Sequence, residues 1–284
     1  MLLVLKTLFE SELLSIRHAI ARPASTRCSE LRRASADVFL LPIAGLFAKH
    51  DSPRQHFIAN PNHALFFGCG QAYKLSFPGG IGDESLLFEF SPEALSKLVT
   101  ETLGLPDLRS AALNRHCLLA PATLLERELL WRHLTLAHGK PLAIEELSVS
   151  VLTKALQTAS KDSRLAERAR HVQSLTRRRQ QVEVVKEAIS LQPMQEWTLT
   201  ELARLAETSP YHLARIFRTE VGLPVHRYLI RTRLGQALET MRTQDQDLTT
   251  IALDCGFAHH SHFSASFRSV FGMTPSRLRT RMRV

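Results

Sequence analysis

A passage near the C-terminus occurs twice, and this repeat limits what the last third of the chain can fold into. Residues 209–228 read SPYHLARIFRTEVGLPVHRY, and residues 259–278 read HHSHFSASFRSVFGMTPSRL. At an offset of 50, His212 meets His262, Leu213 meets Phe263, Phe217 meets Phe267, Arg218 meets Arg268 and Gly222 meets Gly272. Just upstream, at an offset of 49, Leu199, Leu202, Ala203 and Ala206 meet Leu248, Ile251, Ala252 and Cys255. Each copy reads as a short helix, a tight turn and a second helix.

In the first copy, Leu199, Leu202, Ala203 and Ala206 share one helical face, and the small alanines let a second helix approach closely. Ser209 is placed to cap the next helix, with Pro210 at its first position. There Leu213, Ile216 and Phe217 make the buried stripe, and Tyr211, Arg215 and Arg218 project from the opposite face, flanked by His212 and Ala214. A short basic face that begins at a helix N-terminus suits the major groove of DNA. An arginine bonds guanine O6 and N7 together, and a tyrosine packs on a thymine methyl or bonds a phosphate. The plainer reading is a surface helix that carries Arg and Tyr; the repeat weighs against it.

In the second copy, Leu248, Ile251 and Ala252 face inward, Gly256 ends the first helix, and Phe263 and Phe267 form the buried stripe. Ser261, Ala265 and Arg268 face outward, with His260 at the helix start, a less basic set. Arg277, Arg279, Arg281 and Arg283 form a basic tail. Between the copies, VHRYLIRTRLGQALETMRT is long enough for one spacer helix. Two readers held roughly 34 Å apart would enter successive major grooves on one side of a duplex.

Charge agrees with this placement. The formal net charge is +9 and the sequence pI is near 9.8. Residues 177–284 hold 16 Lys/Arg against 10 Asp/Glu, a net of +6. A basic excess favours a polyanion, because neutralised phosphates release counterions; ordinary solubility charge is the competing reading.

The first 160 residues have another texture. Residues 1–22 look helical, with Leu2, Leu3, Leu8, Leu13 and Leu14. From about residue 37, ADVFLLPIAGLFAKHD, NHALFFGCGQAYKLSFP and ESLLFEFSP are short apolar runs punctuated by Asp, Pro and Gly. They predict antiparallel strands, with turns at Pro61-Asn62 and Pro78-Gly79-Gly80. Ser91 and Pro92 then open a helix, and the stretches 122–138 and 142–159 are amphipathic. Their apolar faces suit either their own domain or a second subunit. Residues 161–181 are polar and end in Arg177-Arg178-Arg179, a linker, helical or not, whose arginines could touch phosphates or simply be solvated.

Cys28, Cys69, Cys117 and Cys255 are scattered and form no CxxC pair, which points away from a disulfide framework and a cysteine zinc site. The MLLVL start is cut short by Lys6, and no run reaches the length of a membrane span. A reducing cytoplasm is expected.

The residues also carry two family resemblances. GFAHHSHFSASFRSVFGMTPSRLR resembles the C-terminal signature of AraC-type bacterial transcription regulators. LARLAETSPYHLARIFRTEVGLPVHRYLIRTRL resembles the first half of the same domain, so the likeness covers roughly 183–282. It implies a DNA-binding domain with two helix-turn-helix units, binding next to promoters, and activation through RNA polymerase. It places base reading on Tyr211, Ala214 and Arg215, and on His260, Ser261 and Ala265. The family often has Arg where Ala265 stands, so weaker reading by the second helix is expected. LFAKHDSPRQHFIANPNHALFFGCGQAYKLSFP resembles the cupin-like sensor domain of many such regulators. Cupin enzymes usually carry an HxH…E…H metal set; here His50, His56 and His63 are six and seven apart, with no HxH pair.

The expected fold is therefore α+β: an N-terminal antiparallel β-barrel of cupin type with helices, and a C-terminal all-α domain of two helix-turn-helix units. The expected division is 1–160 for sensing or dimerisation, 161–182 as linker, and 183–284 for DNA. The expected function is sequence-specific transcription regulation, as an activator and not an enzyme. DNA contacts fall on Ser209, Tyr211, His212, Arg215, Arg218, His260, Ser261, His262 and Arg268. No cofactor or metal is expected. Promoter or operator DNA, RNA polymerase, a small-molecule effector and a second copy of the chain are the expected partners, with no membrane. The alternatives are a cupin-type metal enzyme fused to a DNA-binding domain, a DNA-repair methyl acceptor with the same appendage, and an interaction protein that no longer binds DNA.

Overall fold

The computed structural model describes residues 2–52, 55–104, 116–136, 139–167 and 172–283. The strands are β1 (Leu2–Glu10), β2 (Leu14–Arg22), β3 (Arg32–Arg33), β4 (Val38–Gly45), β5 (Phe47–Ser52), β6 (Gln55–Ala59), β7 (His63–Phe67), β8 (Ala72–Ser76), β9 (Asp83–Phe90) and β10 (His116–Leu118). The helices are α1 (Pro92–Leu103), α2 (Pro121–Thr135), α3 (Pro141–Glu167), α4 (Val172–Leu191), α5 (Leu199–Leu205), α6 (Pro210–Val221), α7 (Val225–Thr243), α8 (Leu248–Asp254), α9 (His260–Phe271) and α10 (Pro275–Arg283). They fall into a sheet-rich unit, Met1–Phe47 with Asn62–Arg170, and a helical unit, Ala48–Pro61 with His171–Val284.

In the sheet-rich unit, six antiparallel strands run in the order β1-β2-β9-β4-β7-β10. Ile16 lies opposite Phe88, Leu41 opposite Leu86 and Phe39 opposite Phe66, so the inward side chains meet in one apolar layer. β4 is irregular between Pro42 and Ala44 and ends at Gly45, where φ is +70°. A Cβ there would lie 2.2 Å from the carbonyl oxygen of Gly82, so only glycine lets the two chains meet.

Residues 1–22 are not helical; they are the hairpin β1–β2. Ser11 builds the turn, its N–H donating to the Leu14 carbonyl and its Oγ accepting from Leu13 N–H. Leu14, Ile16, Ala19 and Ala21 of β2 are buried, while Leu2, Leu3, Val4 and Leu5 of β1 remain exposed. The barrel is not closed either. The sheet ends at β1 on one side and at the three-residue β10 on the other, and among the described residues these edges do not pair.

α1 starts as the sequence predicts, with Ser91 Oγ accepting from Ala94 N–H and Pro92 in the first turn. α2 and α3 pack together. Their apolar stripes, Leu124, Leu130 and Leu134 on one and Ile144, Val151, Leu152 and Leu156 on the other, are buried within this unit. Those stripes were the candidate pairing faces in 122–138 and 142–159; residues 137–138 lie outside the described residues. Arg127 is buried beside Glu128, which accepts from its Nε and Nη2, and its Nη1 donates to the Pro42 carbonyl at 2.9 Å.

Helix runs through most of the linker, and one hairpin groups apart from the rest of 1–160. α3 runs to Glu167 and α4 begins at Val172, so helix occupies most of 161–182. The β5–β6 hairpin belongs with the helical unit. There the Glu183 carboxylate of α4 accepts Ile58 N–H at 2.6 Å and binds Lys186 Nζ at 2.9 Å. That ammonium sits 3.7 Å above the Phe57 ring. Asn60 donates to Ser190 Oγ and to the Tyr228 hydroxyl of α7. Burial pushes the Glu183 carboxyl up and the Lys186 ammonium down, and their mutual attraction opposes both shifts. Among the described residues no helix is long and apolar enough to cross a membrane.

Candidate nucleic-acid interface

The two copies of the repeat fold alike. α5 opens on a capping box between Thr198 and Glu201, and α8 opens on Asp247, whose carboxylate accepts from the N–H groups of Thr249 and Thr250. α6 opens on Ser209, whose Oγ accepts from His212 N–H at 3.2 Å. α9 opens on His259, whose ring nitrogen accepts from His262 N–H at 3.1 Å. Both longer helices end on a left-handed glycine, Gly222 and Gly272. α7, which joins the copies, is about 28 Å long at 1.5 Å per residue.

Packing decides which faces remain free. Leu202, Ala203 and Ala206 meet Leu213, Ile216 and Phe217 in the first core. Ile251, Ala252 and Cys255 meet Phe257, Phe263 and Phe267 in the second. α7 contributes Tyr228, Leu234, Leu238 and Met241. Both inner stripes follow the sequence expectation except at Leu199, which stands at the start of α5 and is 37 % exposed.

On α6, Tyr211 is 91 % exposed. Arg215 and Arg218 are exposed one and two turns further along. Nη2 of Arg215 lies 3.2 Å from His212 Nδ1. A guanidinium only donates, so this Nδ1 accepts and the neutral ring steadies the arginine. Arg178 of α4 joins Arg215, Thr219 and Glu220 around a groove beside α6, and Arg179 pairs with Glu220 at 3.4 Å. Arg177 is exposed. The recognition helix thus has cations on a neighbouring helix as well as its own.

On α9, Ser261, Ala265 and Arg268 are exposed. His260 is half-buried, with Nε2 3.4 Å from Ser264 Oγ. His262 turns its ring edge onto Phe257 at 5.4 Å, so only part of it faces outward. In the tail helix α10, Arg279 donates to the Gln246 carbonyl, while Arg277 and Arg281 are exposed.

The sequence reading missed His259 as a cap. The signal was in the repeat itself, since His259 stands where the first copy has Ser209. Gly256 is the left-handed turn residue expected before the second recognition helix, but its counterpart in the first copy was missed. Gly256 has φ +80°, and its counterpart at an offset of 49, Glu207, has φ +49°.

His50 and His56 face each other at 5.5 Å on the hairpin, and His63 is buried on β7. Among the described residues no three His, Cys, Asp or Glu gather as a metal set would. The Cys255 thiol is pushed up to about 12, first by burial, so it packs as an apolar group and not as a nucleophile.

Two shorter helices, each carrying a longer helix with an exposed polar face, define a tandem helix-turn-helix protein of the DNA-reading kind. Residues 202–281 match the family model described as a helix-turn-helix domain. The C-terminal part of the chain is an AraC-family helix-turn-helix domain. An uncharacterized HTH-type transcriptional regulator of Haemophilus influenzae is 33 % identical over 92 residues, which is 32 % of this chain and 31 % of the relative. The HTH-type transcriptional activator RhaS of Escherichia fergusonii is 43 % identical over 67 residues, 24 % of each chain. The DNA-binding domain of AdpA, solved in complex with a target DNA, is 25 % identical with a TM-score of 0.35, over 36 % of this chain and 92 % of that one. The chain thus spans a third or less of the length of these curated relatives.

Proposed function

We propose that the protein is a sequence-specific regulator of transcription that binds promoter or operator DNA through α6 and α9. The observation that carries this reading is the pair of recognition faces at either side of one spacer helix, Tyr211–Arg215–Arg218 exposed on the first and Ser261 and Arg268 exposed on the second beside half-buried His260. Ser209 and His212 act with the first face, and His262 with the second, by capping and steadying. Arg215 is the base reader, bidentate to guanine, and Arg177 and Arg178 add phosphate contacts. The names of relatives such as RhaS favour activation, and with it contact to RNA polymerase.

The sheet-rich unit is the place for sensing a small molecule, with an open cupin-like sheet, or for pairing two copies. Pairing would raise affinity by bringing a second DNA-binding unit to the same duplex. The protein works in the cytoplasm, without catalysis. The enzyme alternative has no support in the placement of His50, His56 and His63, and the methyl acceptor alternative has none in Cys255.

The test is selection of bound duplexes from a random library, followed by Arg215→Ala. The substitution is expected to cost about 1–3 kcal/mol on the selected site and to relax one or two base pairs. Equal losses on selected and unrelated duplexes would make Arg215 a phosphate contact only. A chain that selects nothing would remove the proposed function.

A further inference from the structure

In α9 the hydroxyl of Ser261 already has a partner. Its Oγ lies 2.8 Å from Nδ1 of His259. The same Nδ1 accepts the backbone N–H of His262 at 3.1 Å, the bond that caps the helix. A ring nitrogen that accepts an N–H carries no proton of its own. Nδ1 therefore has nothing to donate, and the contact must be made by the serine hydroxyl donating to it.

A serine has one hydroxyl proton and two lone pairs. With the proton turned back toward His259, Ser261 offers only acceptor capacity outward. Its position is exposed, in the first turn of the helix. In the major groove, adenine N6 and cytosine N4 donate, whereas guanine O6 and N7 and thymine O4 accept. A free serine serves either kind of base; a serine held in this way serves only the donors.

We propose that Ser261 selects a base with an exocyclic amino group, adenine or cytosine, on the strand it faces, and that His259 is the positioning residue that imposes this choice. The proposal rests on the reading of α9 as a DNA-reading helix. It gives the two copies opposite polarity. Arg215 on α6 can only donate and seeks acceptors, and Ser261 on α9 can only accept and seeks donors. Ala265, which stands where α6 has Arg215, offers no hydrogen bond. His260 is half-buried with Nε2 against Ser264 Oγ, so the polar choice in this half-site falls mainly to Ser261.

The experiment exposes the full chain to a random duplex library and sequences the bound fraction, for the wild type, Ser261→Ala, His259→Ala and His259→Asn. The position whose preference disappears in Ser261→Ala is the one Ser261 reads, and in the wild type it should hold adenine or cytosine. At that position the amino group is then deleted, adenine becoming purine or cytosine becoming pyrimidin-2-one. Wild-type affinity should fall about two- to tenfold, the worth of one hydrogen bond. Ser261→Ala should not notice the deletion.

His259→Ala should admit guanine and thymine at that position. His259→Asn should restore the preference, because an asparagine oxygen caps helices and accepts from the same two donors. Thermal melting of each variant reports folding separately. If His259→Ala does not fold, Ser261→Ala and the amino deletion still decide. Guanine or thymine at the Ser261-dependent position, no Ser261-dependent position at all, or wild-type indifference to the deletion would overturn the proposal and leave DNA reading standing. A library from which nothing is enriched would remove the DNA-reading assignment, and the proposal with it.

Discussion

Glu183 and Ile58 are 125 positions apart in the chain, and the Glu183 carboxylate accepts the Ile58 N–H at 2.6 Å. The same carboxylate holds Lys186, so a buried ion pair ties a strand of the first hundred residues to the first helix of the DNA-binding part. Removing one member leaves the other charge buried and uncompensated. Lys186→Met is expected to destabilise the helical unit by about 3–5 kcal/mol. Changing Glu183→Gln as well should return much of that loss, since Gln can still accept from Ile58 N–H. Denaturant titration of both variants checks this; a double variant no more stable than Lys186→Met would contradict it.

The same hairpin alters what a truncation should do. A fragment of residues 176–284 lacks Phe57, Ile58 and Asn60, which cover Lys186, Glu183 and Tyr228. It is expected to fold less stably than the helical unit of the whole chain, with Tyr228 and the ion pair exposed. Supplying a synthetic peptide of residues 48–61 should raise its melting temperature. A fragment as stable as the unit within the full chain, and indifferent to the peptide, would show that the hairpin contributes nothing.

His56 lies on that hairpin, facing His50, and its pKa is held below the usual 6.5, by burial first and then by the Lys186 charge. The sign follows from linkage. At neutral pH and above, the ring is uncharged whether the hairpin is in place or released. Below about 6.5 the released hairpin takes up a proton that the seated one resists. Seating should weaken as pH falls through that value. Exchange of the Ile58 amide, corrected for intrinsic rates, should speed up between about pH 7.5 and pH 5.5. His56→Gln should flatten the profile; an unchanged profile in that variant would assign the effect elsewhere.

In the sheet-rich unit, Asp83 is pushed up to about 6, mainly by burial, with a hydrogen bond from Ser85 opposing the rise. Its folded pKa is raised, so the folded state binds more protons than the unfolded one between about pH 4 and pH 6. This residue's contribution is complete below that window and is lost as pH rises through it. Asp83→Asn should therefore match the wild type at the acid end. At neutral pH it should be more stable, by an amount on the order of 2–3 kcal/mol. Urea titrations at several pH values test the crossover; a parallel loss at every pH would mean that the carboxylate is needed for packing.

Much of the C-terminal part was legible because its signals are local. The cap at Ser209, stripes such as Leu213–Ile216–Phe217, and glycines such as Gly256 and Gly272 are all encoded within a turn or two of where they act. The hairpin β1–β2 was misread because leucine is a good helix former and β1 buries no clean alternate face, with Leu2 through Leu5 all exposed. The β5–β6 hairpin could not be assigned to its unit, because its partners at Glu183, Lys186 and Tyr228 lie far along the chain and no period marks them. At the interface, the outward residues of α6 and α9 followed from helical spacing. The bonds that steady them, His212 to Arg215 and His259 to Ser261, depend on rotamers that spacing does not specify.

The turns before the two recognition helices are built differently. Gly256 has φ +80°, and a Cβ added there would lie 2.8 Å from Met194 Cα and 3.1 Å from Arg233 Nε. Arg233 is itself fixed, donating to the carbonyls of Pro193 and Gln195. Neither the backbone nor that guanidinium can move aside easily. Gly256→Ala should therefore destabilise the helical unit by more than the roughly 1–2 kcal/mol that left-handed backbone alone costs an L-residue. The first copy has Glu207 at this place with φ +49°, and it already bears that backbone cost. Its turn is braced by Gln181, whose Nε2 donates to the carbonyls of Ala206 and Glu207. Glu207→Gly should relieve the backbone and leave the unit slightly more stable, by about 1 kcal/mol at most, because glycine also gains freedom in the unfolded chain. Thermal melts of the two variants should thus move in opposite directions. If Gly256→Ala were tolerated as well as Glu207→Gly, the close approach of Met194 and Arg233 would not constrain the second unit, and the turn would be set by local conformation alone.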